Sequence, residues 1–185
     1  MLNSDYNILK DWMFGKLTSL LENTEPNPKY PIIKMSLGEP TLGLPDFTKK
    51  ILDLNYKDWA KYPPSEAIPS FGNSILNYIK RRYPGTDKLI KLKKNIAPVP
   101  GTREPLHLVG LLAKNLKVGK TTALVTNPYY HAWLAGSISS GSEVYWLNSL
   151  PENNYLPDIL NLPEKLLKSS VIMFICTPSN PHGSV

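Results

Sequence analysis

Hydrophobic positions along this chain fall into two alternating rhythms. Ile8, Leu9, Trp12, Met13, Leu17, Leu20 and Leu21 recur at helical spacing, so residues 8–21 predict an amphipathic helix, which the proline- and asparagine-rich NTEPNPKYP then breaks. PIIKMSLGEP predicts a short strand ending at Gly38, and Leu44–Leu54 a second helix opened by Pro45 and Asp46. Asn55–Pro69 has prolines and aromatics without a period and reads as an irregular surface segment, serving either plain packing or the closing of a site or interface. Ser70–Tyr83 is helical again, with Phe71, Ile75, Leu76 and Ile79 on one face and Lys80, Arg81 and Arg82 at its end; Tyr83-Pro84-Gly85 stops it.

From Asn95 onward strand and helix alternate. Residues 95–99 read as a strand, Gly101 as a tight turn, and the stretch to Leu116 as an apolar helix with Thr102 at its N-cap and Pro105 in its first turn. Thr121–Thr126, Glu143–Leu147 and Ser170–Cys176 read as further strands, separated by helices over Tyr130–Ser140 and Leu156–Lys168. Apolar strands joined by amphipathic helices predict an α/β fold, a three-layer α/β/α arrangement on a mostly parallel sheet, whose ligand crevice lies at the strand C-termini.

Composition narrows the classes. With 185 residues, 42% hydrophobic and 19% charged, the chain has the balance of a globular protein with one core rather than of a disordered one. The net charge of +6 is spread along the chain, and its densest group, Lys88, Lys91, Lys93 and Lys94, reads as a solvated loop-like run before a strand; a nucleic-acid face would gather arginines and aromatics on one element. No apolar run approaches the roughly 20 residues of a membrane span. The N-terminus has no signal-peptide pattern, and a single cysteine, Cys176, excludes an internal disulfide framework and suits a reducing cytoplasm.

Three loops fall at the expected ligand edge: Pro100–Arg103, Asn127–Tyr130 and Thr177–Gly183. The first puts unpaired amides and a positive helix end together, which suits a phosphate, although plain connections use the same arrangement. The second sets two tyrosine rings beside an Asn-Pro kink, where one ring can stack on a planar ligand, or one tyrosine simply packs in the core while the other lies on the surface. The third, TPSNPHG, presents polar groups from a rigid turn, with Asn180 as the best donor; His182 has no second ligand at metal spacing and receives no catalytic role.

With SLGEP, GTREPL, NPYY and SNPHG in this order over residues 6–185, the chain resembles the N-terminal half of the class I/II aminotransferases, fold-type-I enzymes that use pyridoxal 5′-phosphate, and is most similar to the succinyldiaminopimelate aminotransferase type. The resemblance implies that the backbone of Thr102 and Arg103, turned by Gly101, holds the cofactor phosphate, that Tyr130 stacks on the pyridine ring and that Asn180 bonds its phenolic oxygen. It also implies that Tyr62 reaches the phosphate of a neighbouring subunit in a homodimer and that Gly38 lies near the substrate carboxylate. The expected division is an N-terminal arm and part of a small domain over 1–58, then a partial cofactor-binding large domain over 59–185. Ala67 stands where the family usually has glycine and Gly72 where arginine is common. The family's aspartate for the pyridine nitrogen, its cofactor-bearing lysine and its carboxylate-binding arginine all follow SNPHG, so the 185 residues are expected not to transfer amino groups alone.

The resemblance thus implies a cytoplasmic enzyme that moves an amino group between an amino acid and a 2-oxo acid, in lysine- or diaminopimelate-type biosynthesis, with no metal, nucleic-acid or membrane partner. Alternatives that stay open are a non-catalytic fragment or degraded-gene product and an enzyme of the same cofactor with C–S lyase or decarboxylase chemistry. A nucleotide-binding α/β protein is disfavoured, since neither G-x-G-x-x-G nor G-x-x-x-x-G-K-[ST] occurs.

Overall fold

The computed structural model describes residues 4, 7, 13–33, 35–64 and 68–185. Its helices are α1 (Met13–Leu21), α2 (Phe47–Leu54), α3 (Pro69–Arg82), α4 (Leu92–Asn95), α5 (Arg103–Leu116), α6 (His131–Ser139) and α7 (Glu164–Ser169). Among the described residues three strands, β1 (Thr122–Asn127), β2 (Glu143–Asn148) and β3 (Ser170–Phe174), form one parallel sheet in the order β2-β1-β3. The chain divides into two compact units, Asn23–Pro98 and Val99–Val185 with the segment to Glu22.

In the second unit β1 lies between its two partners, and Ala123, Leu124 and Val125 have no exposed surface, which is why this strand is a continuous apolar run rather than an alternating one. β2, at the edge, alternates exposed and half-buried positions from Glu143 to Trp146 before the buried Leu147. α6 crosses from β1 to β2 and packs on both, and α5 packs on α6 and β3. Trp133 of α6 packs with Phe174 and Val171 of β3 and with Ala123 and Val125 of β1 in one core cluster, and Leu134 and Ile138 of α6 are buried as well. This is the predicted α/β alternation.

In the first unit α3 carries Ile75, Leu76 and Ile79 half-buried on the expected face, while Phe71 is exposed. Gly72 is buried because the Leu92 side chain of α4 lies where its Cβ would stand. An arginine there would displace Leu92, which accounts locally for glycine at this position. Gly85 ends the segment after α3 with φ +90°.

Several expectations are corrected. Residues 96–99 form no strand and pair with none among the described residues, and Asn95 ends α4 instead of starting a strand. Pro98 and Pro100 remove alternate N–H groups, both from one edge of the would-be strand, so that edge cannot form a ladder. PIIKMSLGEP is likewise not a strand among its described residues: Ile32, Ile33, Met35 and Leu37 are exposed and have no neighbouring strand. The lysine run is not a loop but a pair of short helical turns, Thr86–Leu89 and α4, with Lys88, Lys91, Lys93 and Lys94 exposed as expected.

Of the helix expected over Leu156–Lys168 only α7 forms. Before it, Ser149 and Pro157 make an antiparallel bridge, and the Asp158 carboxylate accepts from Asn161 N (3.3 Å) and Nδ2 (3.0 Å), a local side-chain turn that competes with helix. β3 stops at Phe174, two residues earlier than expected, and α2 starts at Phe47 rather than Leu44. Residues 8–12 of the first expected helix, and Ala67, lie outside the described residues.

Candidate active site at the strand ends

Because β1, β2 and β3 are parallel, their C-terminal ends share one edge of the sheet, and each runs into a loop that carries polar groups. At this edge Asn127 of β1 stands opposite Asn148 of β2, and its Nδ2 donates to Asn148 Oδ1 (3.0 Å). Sequence reasoning passed over Asn148. The signal was there, in two apolar strands that each end on an asparagine.

Gly101 turns the chain into α5 with φ +99°, a left-handed angle that glycine adopts without penalty, and Thr102 follows as the N-cap residue. The Thr102 hydroxyl makes no capping bond; its carbonyl accepts from Leu106 N (3.1 Å). The first-turn amides of α5 therefore point outward at the positive end of a 14-residue helix. Glu104, exposed in that first turn, favours the same dipole.

The Arg103 side chain links this helix end to the β1 loop: its Nε donates to the Tyr130 hydroxyl (3.3 Å). Tyr130, half-buried, immediately precedes α6, and its ring lies 4.4 Å from the His131 ring and edge-on to Trp133 at 6.0 Å. Trp133 in turn stacks on Phe174 at 5.5 Å, with the ring planes 12° apart. An aromatic series thus runs from the sheet core to the site edge. The Trp133 indole N–H is buried and has no hydrogen-bond partner among the described residues. Burial, and then the positive charge of Arg103, hold the His131 pKa below its ordinary 6.5.

Asn180 lines a cavity of about 250 Å³ between the loops after β2 and β3, together with Thr126, Ser149, Pro157, Cys176 and Ser179. Thr102, Arg103 and Tyr130 are not among its walls. Asn127-Pro128, Thr177-Pro178 and Asn180-Pro181 are cis peptides. Gly38 and Tyr62 belong to the other unit; both are exposed, Tyr62 completely. Of the sequence-predicted residues, then, Gly101, Thr102, Arg103 and Tyr130 are neighbours, and Asn180 shares the strand-end edge with them.

What this arrangement offers is a set of backbone donors and a guanidinium for an anion, a ring beside them, and an amide on the next loop. These groups fit a phosphorylated aromatic cofactor. The sequence from residue 30 to residue 185 matches the family model for aminotransferase class I and II. It is 26% identical over 156 residues to the LL-diaminopimelate aminotransferase of Moorella thermoacetica, covering 83% of this chain and 38% of that enzyme. It is 30% identical over 157 residues to the transaminase BacF of Bacillus subtilis, again covering 83% of this chain and 38% of the relative. Among solved structures, an aminotransferase of Neisseria meningitidis superposes with a TM-score of 0.86 at 26% identity, over all of this chain and 46% of that one. Substrate-bound BacF superposes with a TM-score of 0.74 at 26% identity, over 98% of this chain and 45% of that one. The chain spans less than half the length of these relatives. Their family depends on pyridoxal phosphate. Strand-end geometry, family match and superposition agree: the chain belongs to the class I and II aminotransferases.

Proposed function

We propose that this chain supplies the phosphate- and ring-binding part of an aminotransferase that moves an amino group between an amino acid and a 2-oxo acid. The carrying observation is the Arg103–Tyr130 hydrogen bond, which joins the N-terminus of α5 to the ring at the end of β1. When bound, pyridoxal phosphate supplies a carbonyl that takes up the amino group and a ring that withdraws electrons. The outward amides of Thr102 and Arg103 receive its phosphate dianion at the positive end of α5, where each such contact is charge-assisted. Tyr130 offers a ring face whose direction is fixed by Arg103 on its hydroxyl and by Trp133 at its edge. Asn180 donates its amide to the ring's phenolic oxygen.

The similarity to LL-diaminopimelate aminotransferases supports a diamino-acid substrate of that type, and hence a place in amino-acid biosynthesis. In the same reading Gly38 lies near the substrate carboxylate and Tyr62 reaches a second subunit; the complete exposure of Tyr62 suits a residue that finds its partner in another chain. In the family the lysine that joins the cofactor carbonyl follows the SNPHG motif, and this reading gives that role to none of the lysines in these 185 residues.

The test is a titration of the 185-residue chain with pyridoxal phosphate followed by tryptophan fluorescence, since Trp133 lies behind Tyr130. Saturable quenching that weakens in Tyr130→Ala and in Asn180→Ala is expected. Borohydride reduction should leave no single lysine fully labelled, and amino acids should not convert the bound cofactor. Absence of saturable binding, or binding indifferent to both substitutions, would overturn the assignment of the site. One stoichiometrically labelled lysine with amino-acid-dependent conversion would overturn the reading that none of these lysines bears the cofactor.

A further inference from the structure

The loop after β3 is closed on itself. Ser179 N donates to Ser184 O (2.8 Å) and Gly183 N to Ser179 O (2.6 Å), with Gly183 at φ +78°. These bonds fix the loop's shape but not its direction relative to the sheet. Out of this loop the His182 ring lies on that of Tyr155, with centroids 4.8 Å apart and planes 15° apart.

Tyr155 belongs to the connection after β2, and that connection is itself anchored. Tyr155 N donates to Leu150 O (2.9 Å), and the Ser149–Pro157 bridge ties its two ends. Asn154 and Tyr155 both take left-handed backbone angles, φ 53° and 57°. For an aromatic residue that conformation is unfavourable and persists only where contacts fix it. Its consequence is to turn the Tyr155 ring toward the SNPHG loop. Between the two connections lies the cavity walled by Leu156 and Pro157 on one side and Ser179 and Asn180 on the other.

We infer that His182 and Tyr155 are positioning residues: their stacked rings tie the SNPHG loop to the β2 connection and so set where Asn180 presents its amide. Asn180 is two residues from His182 in a loop whose internal bonds make it move as one piece. The tie needs a flat ring at position 182, not a metal or a transferable proton. The ligand that Asn180 meets rests on the cofactor reading above, whereas the tie itself does not.

The experiment compares the parent chain with His182→Ala, His182→Phe and Tyr155→Ala by amide hydrogen exchange and by pyridoxal phosphate titration. Loss of one ring stack is expected to speed exchange at Ser179 and Gly183 roughly three- to tenfold in both alanine variants. His182→Phe should stay close to the parent, and Leu124 in the central strand should exchange at the parent rate throughout. The cofactor dissociation constant should rise by a similar factor in His182→Ala, but not when His182→Ala is added to Asn180→Ala, because the effect runs through Asn180. Unchanged exchange at Ser179 and Gly183, equal acceleration at Leu124, failure of phenylalanine to restore the parent behaviour, or additive losses in the double variant would each overturn the proposal. If the parent chain does not bind the cofactor the reading of the site fails, and the exchange measurements still decide on the tie.

Discussion

Replacing Gly136 by alanine should destabilise the second unit although alanine is the better helix former. A Cβ at Gly136, in α6, would run into the backbone carbonyl oxygen of His107 in α5 and would lie 3.1 Å from the carbonyl carbon and Cα of the same residue. The clash is reciprocal: a Cβ at Gly110 would lie 2.8 Å from Gly136 C and 3.0 Å from Gly136 O. Both obstacles are backbone, which no rotamer change relieves. Propensity favours alanine over glycine by about 1 kcal/mol in a helix interior. Overpacking a close-packed contact costs about 1–3 kcal/mol, at the upper end when the helices themselves must separate, so the net loss is about 2 kcal/mol. For a chain of this size that lowers the melting temperature by about 4–8 °C.

Gly72→Ala is the internal control, because its Cβ would meet only the end of the Leu92 side chain, which can rotate away. That variant should lie within about 1 kcal/mol of the parent. The assay is guanidinium unfolding followed by circular dichroism, with slopes compared to confirm that the same surface is exposed. A Gly136→Ala chain as stable as the parent, or more so, would refute the close approach of α5 and α6.

Two further outcomes follow from the same core. The neutral form of His131 is favoured in the fold, so its contribution to stability is fully present above 6.5, the unfolded value, and is lost as pH falls through the depressed folded value; an NMR titration should give a midpoint below 6.5 that rises in Arg103→Gln, and a midpoint at or above 6.5 would contradict the burial of the ring beside Arg103. Trp133→Phe keeps a ring against Phe174 and removes the unpartnered indole N–H, so its stability should lie within about 1 kcal/mol of the parent, whereas Trp133→Ala should lose about 3–5 kcal/mol; a phenylalanine variant as unstable as the alanine one in chemical unfolding would mean that the indole nitrogen is partnered.

What the sequence made legible is the part in which one local rule decides. β1, α6 and β2 were readable because a buried apolar run, a helical apolar stretch and an alternating run each match the burial they meet. Gly101 was readable because its turn demands left-handed angles. The errors fall where two rules compete. Ile96 and Val99 have strand propensity, but the prolines at 98 and 100 deny one edge its donors. Leu156–Leu162 has apolar spacing suited to helix, but the Asp158 carboxylate captures Asn161 and the Ser149–Pro157 bridge holds the chain extended. At the site, motif order located Arg103 and Tyr130, but the bond between them spans 27 positions and joins two side chains whose meeting depends on how α5 packs on α6. No local pattern encodes that.

The glycine pair shows why this bond belongs to the core as much as to the site. Arg103 begins α5 two turns before Gly110, and Tyr130 stands just ahead of α6, less than two turns before Gly136. Helices this short move as rigid rods, so whatever separates them at the glycines also separates their first turns. The Arg103–Tyr130 bond, at 3.3 Å, is already longer than the usual N–H···O distance, and a further few tenths of an ångström would break it. A methyl group at Gly136, some two turns from any group assigned to the cofactor, should therefore free the Tyr130 ring and withdraw the Arg103 charge from His131. The pKa of His131 would then rise toward 6.5 in Gly136→Ala, as it does in Arg103→Gln, through packing alone. In Arg103→Gln the charge is already gone, so adding Gly136→Ala should raise the His131 midpoint further only through lost burial, the larger cause of its depression, and by less than the same substitution raises it in the parent.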